Sequence, residues 1–197
     1  MKRTRIYLTG VGGQGTLTAT TLLARTALAQ GCDVTSGEIH GMAQRGGVVE
    51  STVLLGGWKS PKISYGEADV ILGFEPMETL RGLPYLAKGG LVISSTDPIS
   101  PIAVSRGLAA YPDIQSVKDT ISGCAGKAVF LPIRKLGEQA GAMQSGNLAM
   151  LAALCSLGGV PFGPQALVDA VKAFMKPSLV DINLKAVALG VEAAAAA

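Results

Sequence analysis

The sequence predicts an α/β domain with a mainly parallel sheet and a helical C-terminal third. Two observations lead to this prediction: β-rich segments alternate with helical patterns from residue 5 to residue 133, and helical patterns follow one another from residue 134 to residue 190. Helices on both faces of such a sheet give a three-layer arrangement. Because 197 residues suffice for one substantial hydrophobic core, residues 1–197 are expected to form a single domain.

The first half of the chain opens with a strand, a glycine turn and a helix. Its predicted segments are the strands Arg5–Thr9, Asp33–Ser36 and Val48–Leu55 and a helix from about Gly15 to Gln30. Gly56 and Gly57, which precede Trp58, also predict a hairpin. The second strand of that hairpin would run through Lys62–Ser64.

In the second half, Asp69–Phe74 reads as the clearest buried strand. The other predicted strands are Leu91–Ser95 and Ala128–Ile133, and the predicted helices are Pro76–Ala87, Arg134–Ala140, Gly146–Leu157, Pro164–Ala173 and Ser178–Gly190. In a parallel sheet the carboxyl ends of the strands meet at one edge, where ligands usually bind. The candidate site is therefore expected at that edge.

Composition excludes several classes of protein. Hydrophobic residues make up 48% of the chain and charged residues only 16%, which excludes a disordered chain and leaves a large uncharged surface that suits a protein partner. The net charge of +3 comes from cations scattered along the chain, and aromatic residues are only 5%, so nucleic-acid binding is not expected. The continuous apolar stretch Leu148–Leu157 is about half of the roughly 20 residues that a membrane-spanning helix needs, which predicts a buried helix and no membrane association.

The cysteines set a further limit. Cys32, Cys124 and Cys155 are an odd number at long spacings, without a C-x-x-C pair. They predict neither a disulfide framework nor a self-contained zinc or iron–sulfur site, so no metal ligands are expected in this chain. A cytoplasmic location follows as the expectation.

The segment GVGGQG (Gly10–Gly15) is the first candidate site. It matches G-x-G-x-x-G between a predicted strand and a predicted helix, where backbone amides and a helix N-terminus can bind an anionic group. Three interpretations stay open: an anion or partner contact, a nicotinamide or flavin dinucleotide site, and a tight turn without a ligand. A dinucleotide site needs an acid at the end of the second strand. Asp33 stands at the start of the predicted strand, and Glu38 lies beyond its end.

The segment Gly37–Gly47 is the second candidate site. Four glycines surround an acid, the single histidine, an amide and an arginine, a composition that predicts a loop which approaches a ligand closely. Arg45 is the candidate clamp for a carboxylate or phosphate, and His40 is the candidate proton donor or carrier. In the alternative interpretation, Glu38 pairs with Arg45 and His40 bonds a backbone carbonyl, so that these residues only define the shape of the loop.

These two segments supply all the predicted site residues. The candidate catalytic residues are His40, Arg45 and Glu38. The candidate cofactor-binding residues are Gly10, Gly12, Gly13, Gln14, Gly15, Gly41, Met42, Gln44, Gly46 and Gly47.

Three segments together resemble a known family. GVGGQG, GEIHGMAQRGGVVESTV (Gly37–Val53) and KPSLVDINLKAVALG (Lys176–Gly190) are similar to the gamma-type domain of the 2-oxoacid:ferredoxin oxidoreductases. HGMAQRGG (His40–Gly47) resembles the beta subunits of the indolepyruvate ferredoxin oxidoreductases in particular. The resemblance covers nearly the whole chain and implies a Rossmann-like α/β domain.

The resemblance also implies a function. In that family a 2-oxoacid adds to thiamine diphosphate and loses carbon dioxide, the electrons pass through iron–sulfur clusters to ferredoxin, and the acyl group passes to coenzyme A. This chain lacks the G-D-G opening of a thiamine diphosphate and magnesium motif. The resemblance therefore implies a small subunit whose larger partner carries thiamine diphosphate, magnesium and the clusters, with an arylpyruvate such as indolepyruvate as substrate.

Two other functions remain open from the sequence alone. One is a free-standing protein that binds a nicotinamide or flavin dinucleotide, and the other is a non-catalytic assembly or regulatory protein. A homodimer is one possible state of the isolated chain.

Overall fold

The computed structural model describes residues 3–40 and 46–197, and of His40 it describes the backbone alone. The strands in these ranges are β1 (Thr4–Val11), β2 (Val34–His40), β3 (Val48–Leu55), β4 (Ala68–Gly73), β5 (Leu86–Ser95) and β6 (Lys127–Leu131). The helices are α1 (Thr16–Ala29), α2 (Pro76–Gly82), α3 (Ile102–Ser105), α4 (Ile114–Cys124), α5 (Ile133–Ala140), α6 (Gly146–Ser156), α7 (Pro164–Phe174) and α8 (Pro177–Ala195). Short 3-10 turns lie at Leu83–Tyr85 and Met143–Ser145.

The strands form one sheet in the order β2-β3-β1-β4-β5-β6. Strands β1, β4, β5 and β6 are parallel neighbours, whereas β3 lies antiparallel between β1 and β2. Thr9, Gly73 and Ser94 stand side by side in register, so the carboxyl ends of three strands meet at one edge. The prediction of a mainly parallel α/β sheet is confirmed.

Each face of the sheet has its own hydrophobic cluster, because successive side chains of a strand point to opposite faces. Ile6 and Leu8 pack against α1 and the helices α5 to α8 on one face. Tyr7 and Ile71 pack on the other face, together with Val117 of α4. Since helices cover both faces, the expected three layers are present.

Helix α6 lies at the centre of the helical C-terminal third. Ten consecutive residues, Gly146–Cys155, are buried. Helices α5, α7 and α8 all contact this helix, and so does α1. The apolar stretch that begins at Leu148 thus lies in a buried helix, as its length predicts. No helix in the described ranges is long and apolar enough to cross a membrane.

The predicted hairpin after Gly57 is wrong. Residues 59–65 contain no strand, and they pack instead over β2 and β3. The Thr35 hydroxyl donates to the Trp58 carbonyl at 2.6 Å, and the Thr52 hydroxyl donates to the Pro61 carbonyl at 2.8 Å. These hydroxyls bind carbonyls that would otherwise pair with a neighbouring strand. Pro61 has no N–H that could donate to a neighbouring strand.

The segment Gly37–His40, predicted as loop, is the second half of β2. It pairs antiparallel with β3, with Glu38 opposite Ser51 and His40 opposite Val49. Tertiary pairing outweighs the poor strand propensity of glycine here. The close packing explains Gly37, because a Cβ there would come within 2.7 Å of Pro61 Cβ.

Helices α2 and α4 also differ from the prediction. The helix expected over Pro76–Ala87 ends at Gly82, because Leu83 precedes a proline and Leu86 already pairs with Ala68 in the sheet. The sequence prediction has no helix at α4, which buries only Val117 and Ile121. Its start is set by Asp113, whose carboxylate accepts from the Ser116 amide at 2.9 Å.

Candidate functional site

The main cleft lies at the carboxyl ends of the parallel strands, where the sequence predicts the site. Its volume is about 440 Å³. Its walls come from the glycine loop after β1, the ends of β4 and β5, the start of α5 and the turn before α6: Val11, Gly12, Gly13, Gln14, Gly46, Phe74, Asp97, Pro98, Ile99, Ile133, Arg134, Met143, Gln144 and Asn147. Both glycine-rich motifs therefore contribute to one cleft.

Gln14 holds the glycine loop in place. Its side-chain oxygen accepts from the Val11 amide at 2.7 Å, and its side-chain nitrogen donates to the Phe74 carbonyl at 2.9 Å. Its own carbonyl accepts from Asn147 Nδ2 at 2.7 Å. One residue thus ties together the ends of β1 and β4 and the start of α6. The Asn147 side chain is buried, so this hydrogen bond is made inside the protein.

The glycines of this loop are required for different reasons. A Cβ on Gly10 would lie 2.9 Å from both Gln14 Oε1 and Thr16 Oγ1, so the space beside β1 is already full. Gly13 and Gly15 have positive φ angles of 99° and 81°, a conformation that side chains disfavour. A Cβ on Gly13 would meet no atom within 4 Å, which leaves its surroundings open toward the cleft.

The two motifs are joined by backbone hydrogen bonds. The Gly12 amide donates to the Gly47 carbonyl at 2.7 Å, and the Gly46 amide approaches the Gly12 carbonyl at 3.4 Å. The four predicted site residues Gly41, Met42, Gln44 and Arg45 lie outside the described residues. Their segment ends at Gly46, which lines the cleft.

The candidate residues Glu38 and His40 belong to the edge strand β2, which β3 separates from β1. Glu38 is exposed and lines a second cavity next to β2 rather than the main cleft. The side chain of His40 and the whole of Arg45 lie outside the described residues, so the predicted roles of His40, Arg45 and Glu38 stay predictions.

Sequence reasoning missed Glu75, which organises the opposite wall of the cleft. It is 1% exposed and caps α2, accepting from the Glu78 amide at 3.0 Å. Its other carboxylate oxygen accepts from the Ile99 amide at 3.2 Å and from the Tyr111 hydroxyl. Burial and this bond to Glu75 raise the pKa of Tyr111 above its ordinary value. An acid directly before a proline at a helix start is the signal that could have identified this cap.

Asp97 and Arg134 are further residues of the cleft that the sequence did not single out. The Asp97 carboxylate accepts from the Arg134 amide at 2.8 Å and so caps the first turn of α5. The Arg134 side chain is exposed and pairs with Glu138 at 3.2 Å. Among the described residues, the cleft therefore combines apolar walls with amides, one acid and one arginine, an arrangement suited to binding and positioning a polar molecule.

The described residues do not include a group of three or more His, Cys, Asp or Glu side chains that could hold a metal ion. Cys32 and Cys155 are each 5% exposed, and burial raises the pKa of both thiols, for Cys155 to about 12. Neither is placed to act as a thiolate ligand or nucleophile. The residues in these ranges do not fit an iron–sulfur cluster.

We expect a single thiol of the folded protein to react quickly with Ellman's reagent at pH 8. Cys124 is exposed, whereas the other two thiols are buried with raised pKa values. The measurement is the number of fast equivalents in the native protein, with all three thiols counted after denaturation. Cys124→Ser should remove the fast equivalent, and two fast equivalents in the native wild type would contradict the burial of Cys32 and Cys155.

Comparisons with known proteins identify the family of this chain. Residues 5–193 match the family model described as pyruvate ferredoxin/flavodoxin oxidoreductase. The chain is 42% identical over 196 residues to indolepyruvate oxidoreductase subunit IorB of Pyrococcus horikoshii, covering 98% of this chain and 97% of that protein.

Two solved structures share the fold. The gamma subunit of a keto/oxoacid ferredoxin oxidoreductase from Geobacter sulfurreducens matches with a TM-score of 0.72 at 22% identity, covering 98% of this chain and 99% of that one. A chain of the 2-oxoglutarate:ferredoxin oxidoreductase from Magnetococcus marinus, solved with 2-oxoglutarate, coenzyme A and succinyl-CoA bound, matches with a TM-score of 0.72 at 18% identity. All of this chain is covered, but only 32% of that longer one. Given the family match over nearly all its length, the chain belongs to the pyruvate ferredoxin/flavodoxin oxidoreductase family.

Proposed function

We propose that this chain is the small subunit of a 2-oxoacid:ferredoxin oxidoreductase that acts on indolepyruvate and other arylpyruvates. The reaction converts the 2-oxoacid and coenzyme A to acyl-CoA and carbon dioxide, and the two electrons released reduce ferredoxin. The observation that carries this proposal is the 42% identity, over almost the full length of both chains, to a subunit of indolepyruvate oxidoreductase. We place the subunit in the cytoplasm, as its cysteine content predicts.

Thiamine diphosphate, magnesium and the iron–sulfur clusters belong to a larger partner subunit in this proposal. The described residues of this chain offer no metal-binding group, and the same fold makes up about a third of the longer Magnetococcus marinus chain. This chain accordingly takes part in the reaction by binding and positioning. Residues 1–197 act as one unit in this role.

The cleft at the carboxyl ends of the strands is the surface that we assign to this role. The Gly10–Gly15 loop and Gly46 line it together, and Gly12 is hydrogen-bonded to Gly47. In this proposal Arg45, with the amides of both segments, supplies positive potential to the phosphates of coenzyme A or to the substrate carboxylate. Glu38 and His40 would then act from β2, at the start of the same segment.

The structure disfavours the alternative of a free-standing dinucleotide-binding protein. On the side of β1 away from β4, the neighbouring strand is the antiparallel β3, which places Val49 and Val48 opposite Gly10 and Val11. An acid for the ribose hydroxyls is not present at those positions. The Gly12 amide, moreover, already donates to Gly47.

Activity of the assembled complex tests the proposal. The chain is co-purified anaerobically with its larger subunit, and coenzyme A-dependent reduction of a viologen dye is measured with indolepyruvate, pyruvate and 2-oxoglutarate. We expect the highest kcat/KM with indolepyruvate. A chain that purifies alone and binds a nicotinamide or flavin nucleotide would overturn the proposal, and a preference for pyruvate or 2-oxoglutarate would overturn the substrate assignment.

Arg45→Ala is expected to lower kcat/KM for coenzyme A or for the 2-oxoacid by roughly ten- to a hundredfold, as for the loss of a hydrogen bond to a charged group. Arg45→Lys should recover only part of this loss, because lysine cannot form the bidentate contact. Lys185→Ala, which removes one exposed cation from α8, is the matched control. Wild-type constants for both substrates in the Arg45→Ala complex would exclude the role assigned to Arg45.

A further inference from the structure

A second cavity, of about 340 Å³, lies next to the edge strand β2 on the sheet face that carries α2 and α4. We call it the edge groove. The residues used below to describe it are Tyr7, Ile39, Glu50, Pro61, Ile63 and Tyr85. It does not share a lining residue with the main cleft among the described residues. Apart from Glu38, the proposed function gives the residues of this groove no role.

Two acids, Glu38 and Glu50, and one cation, Lys62, line the edge groove. Glu50 lines the groove with Tyr7, and burial together with the Glu50 carboxylate raises the pKa of Tyr7. Among the described residues, the salt bridges found do not include Glu50. Lys62 lines the rim of the groove and is exposed.

A second carboxylate adds to the negative charge of this region. Glu78 is 5% exposed, and it is close enough to Glu50 that the two charges repel. Arg81 pairs with Glu78 Oε1 at 2.6 Å, while Glu78 Oε2 is buried without a hydrogen-bond partner among the described residues. The guanidinium of Arg81 is therefore committed to Glu78, and within residues 3–40 and 46–197 no salt bridge pairs a cation with Glu50.

The walls of the groove suit an apolar stem that ends in a planar cation. Pro61 and Ile63 form an apolar wall. The ring of Tyr85 stacks on Tyr7 with 4.6 Å between centroids, and Tyr65 packs edge-on against Tyr85 at 4.9 Å. Arginine has such a stem, and its guanidinium both stacks on aromatic rings and binds carboxylates through two parallel hydrogen bonds.

The surroundings of the groove indicate that the arginine belongs to a protein. Strand β2 is at the edge of the sheet, so its outer backbone groups are available to a neighbour. Ile39 in the groove is 68% exposed and Tyr65 beside it is 73% exposed. Large exposed apolar side chains next to a free strand edge mark a protein–protein interface.

We propose that the edge groove receives an arginine side chain of the larger subunit, which pairs with Glu50 and lies against Tyr85. This inference rests on the proposed function, since it takes the larger subunit as the partner. It adds a docking contact on the α2 and α4 face, separate from the main cleft.

Glu50→Gln tests the contact by removing the charge and keeping the shape. The dissociation constant for the larger subunit, measured by titration and scored by recovered activity, should rise by about ten- to a hundredfold, as for truncation of one partner of a buried charged pair. Glu192→Gln makes the same change at an exposed position of α8 and should leave the constant unchanged. Thermal unfolding of Glu50→Gln should match or exceed that of wild type, because repulsion with Glu78 is relieved.

A photo-crosslinking residue at Ile39 provides a second measurement that does not depend on a core position. We expect cross-links to an arginine-containing segment of the larger subunit. Cross-links to a second copy of this chain, or an unchanged dissociation constant in Glu50→Gln, would overturn the inference and leave the proposed function intact. Failure of the wild-type chain to assemble with any larger subunit would overturn both.

Discussion

Gly190→Ala is expected to destabilise the protein by about 3 kcal/mol or more, the upper range for overpacking a core. Gly190 lies in α8 where that helix crosses α6. A Cβ there would come within 2.1 Å of the Ala149 carbonyl oxygen and 2.6 Å of Ala149 Cα. These are backbone atoms of a fully buried helix, so one whole helix must move to relieve the contact.

Gly123→Ala in α4 is the matched control for this substitution. Gly123 is also helical, but a Cβ there would meet no atom within 4 Å. Alanine should therefore stabilise the protein by up to about 1 kcal/mol through helix propensity alone. Urea unfolding of both variants and the wild type gives the two values. A Gly190→Ala protein as stable as wild type would show that α6 and α8 do not approach as closely as described.

Gln14→Glu should have the largest effect on the main cleft, with a loss of about 3 kcal/mol in stability at neutral pH. The new carboxylate can still accept from the Val11 amide, but it cannot donate to the Phe74 carbonyl and would face that oxygen with a negative charge. The glycine loop would then lose its bond to the end of β4 and shift relative to the cleft. A displacement of about 1 Å in positioning groups can cost a hundredfold in turnover, and we expect a loss of about that size in the assembled enzyme.

The pH dependence of this variant supplies the diagnostic. Protonation of the introduced carboxyl group restores a donor for the Phe74 carbonyl, so the deficit in stability relative to wild type should be smaller at pH 5 than at pH 8. Gln139→Glu, which adds the same charge at an exposed position of α5, should lose little at either pH. A Gln14→Glu deficit that is small at both pH values would argue against Gln14 as the tie between the strands.

Local patterns in the sequence predict most of the elements correctly. The glycine turn between β1 and α1, the buried strand β4 and the uncharged helix α6 follow from periodicity and turn residues that act over a few positions. The predictions fail where a partner strand or a distant side chain determines the local secondary structure. Gly37–His40 becomes strand because β3 pairs with it, and residues 58–65 do not form the hairpin because Thr35 and Thr52 bind carbonyls of that segment.

The same division applies to the functional residues. The glycine motifs, and the resemblance that they carry, are properties of the sequence by itself, since a positive φ angle or a missing Cβ is a requirement of single positions. That Gly12 and Gly47 meet, that Gln14 joins β1 to β4 and α6, and that Glu75 binds Tyr111 depend on residues as many as 133 positions apart, such as Gln14 and Asn147. Only the tertiary structure brings such groups within hydrogen-bond distance. For the same reason the sequence predicts a ligand site but does not show the edge groove, whose acid and aromatic rings come from separate segments of the chain.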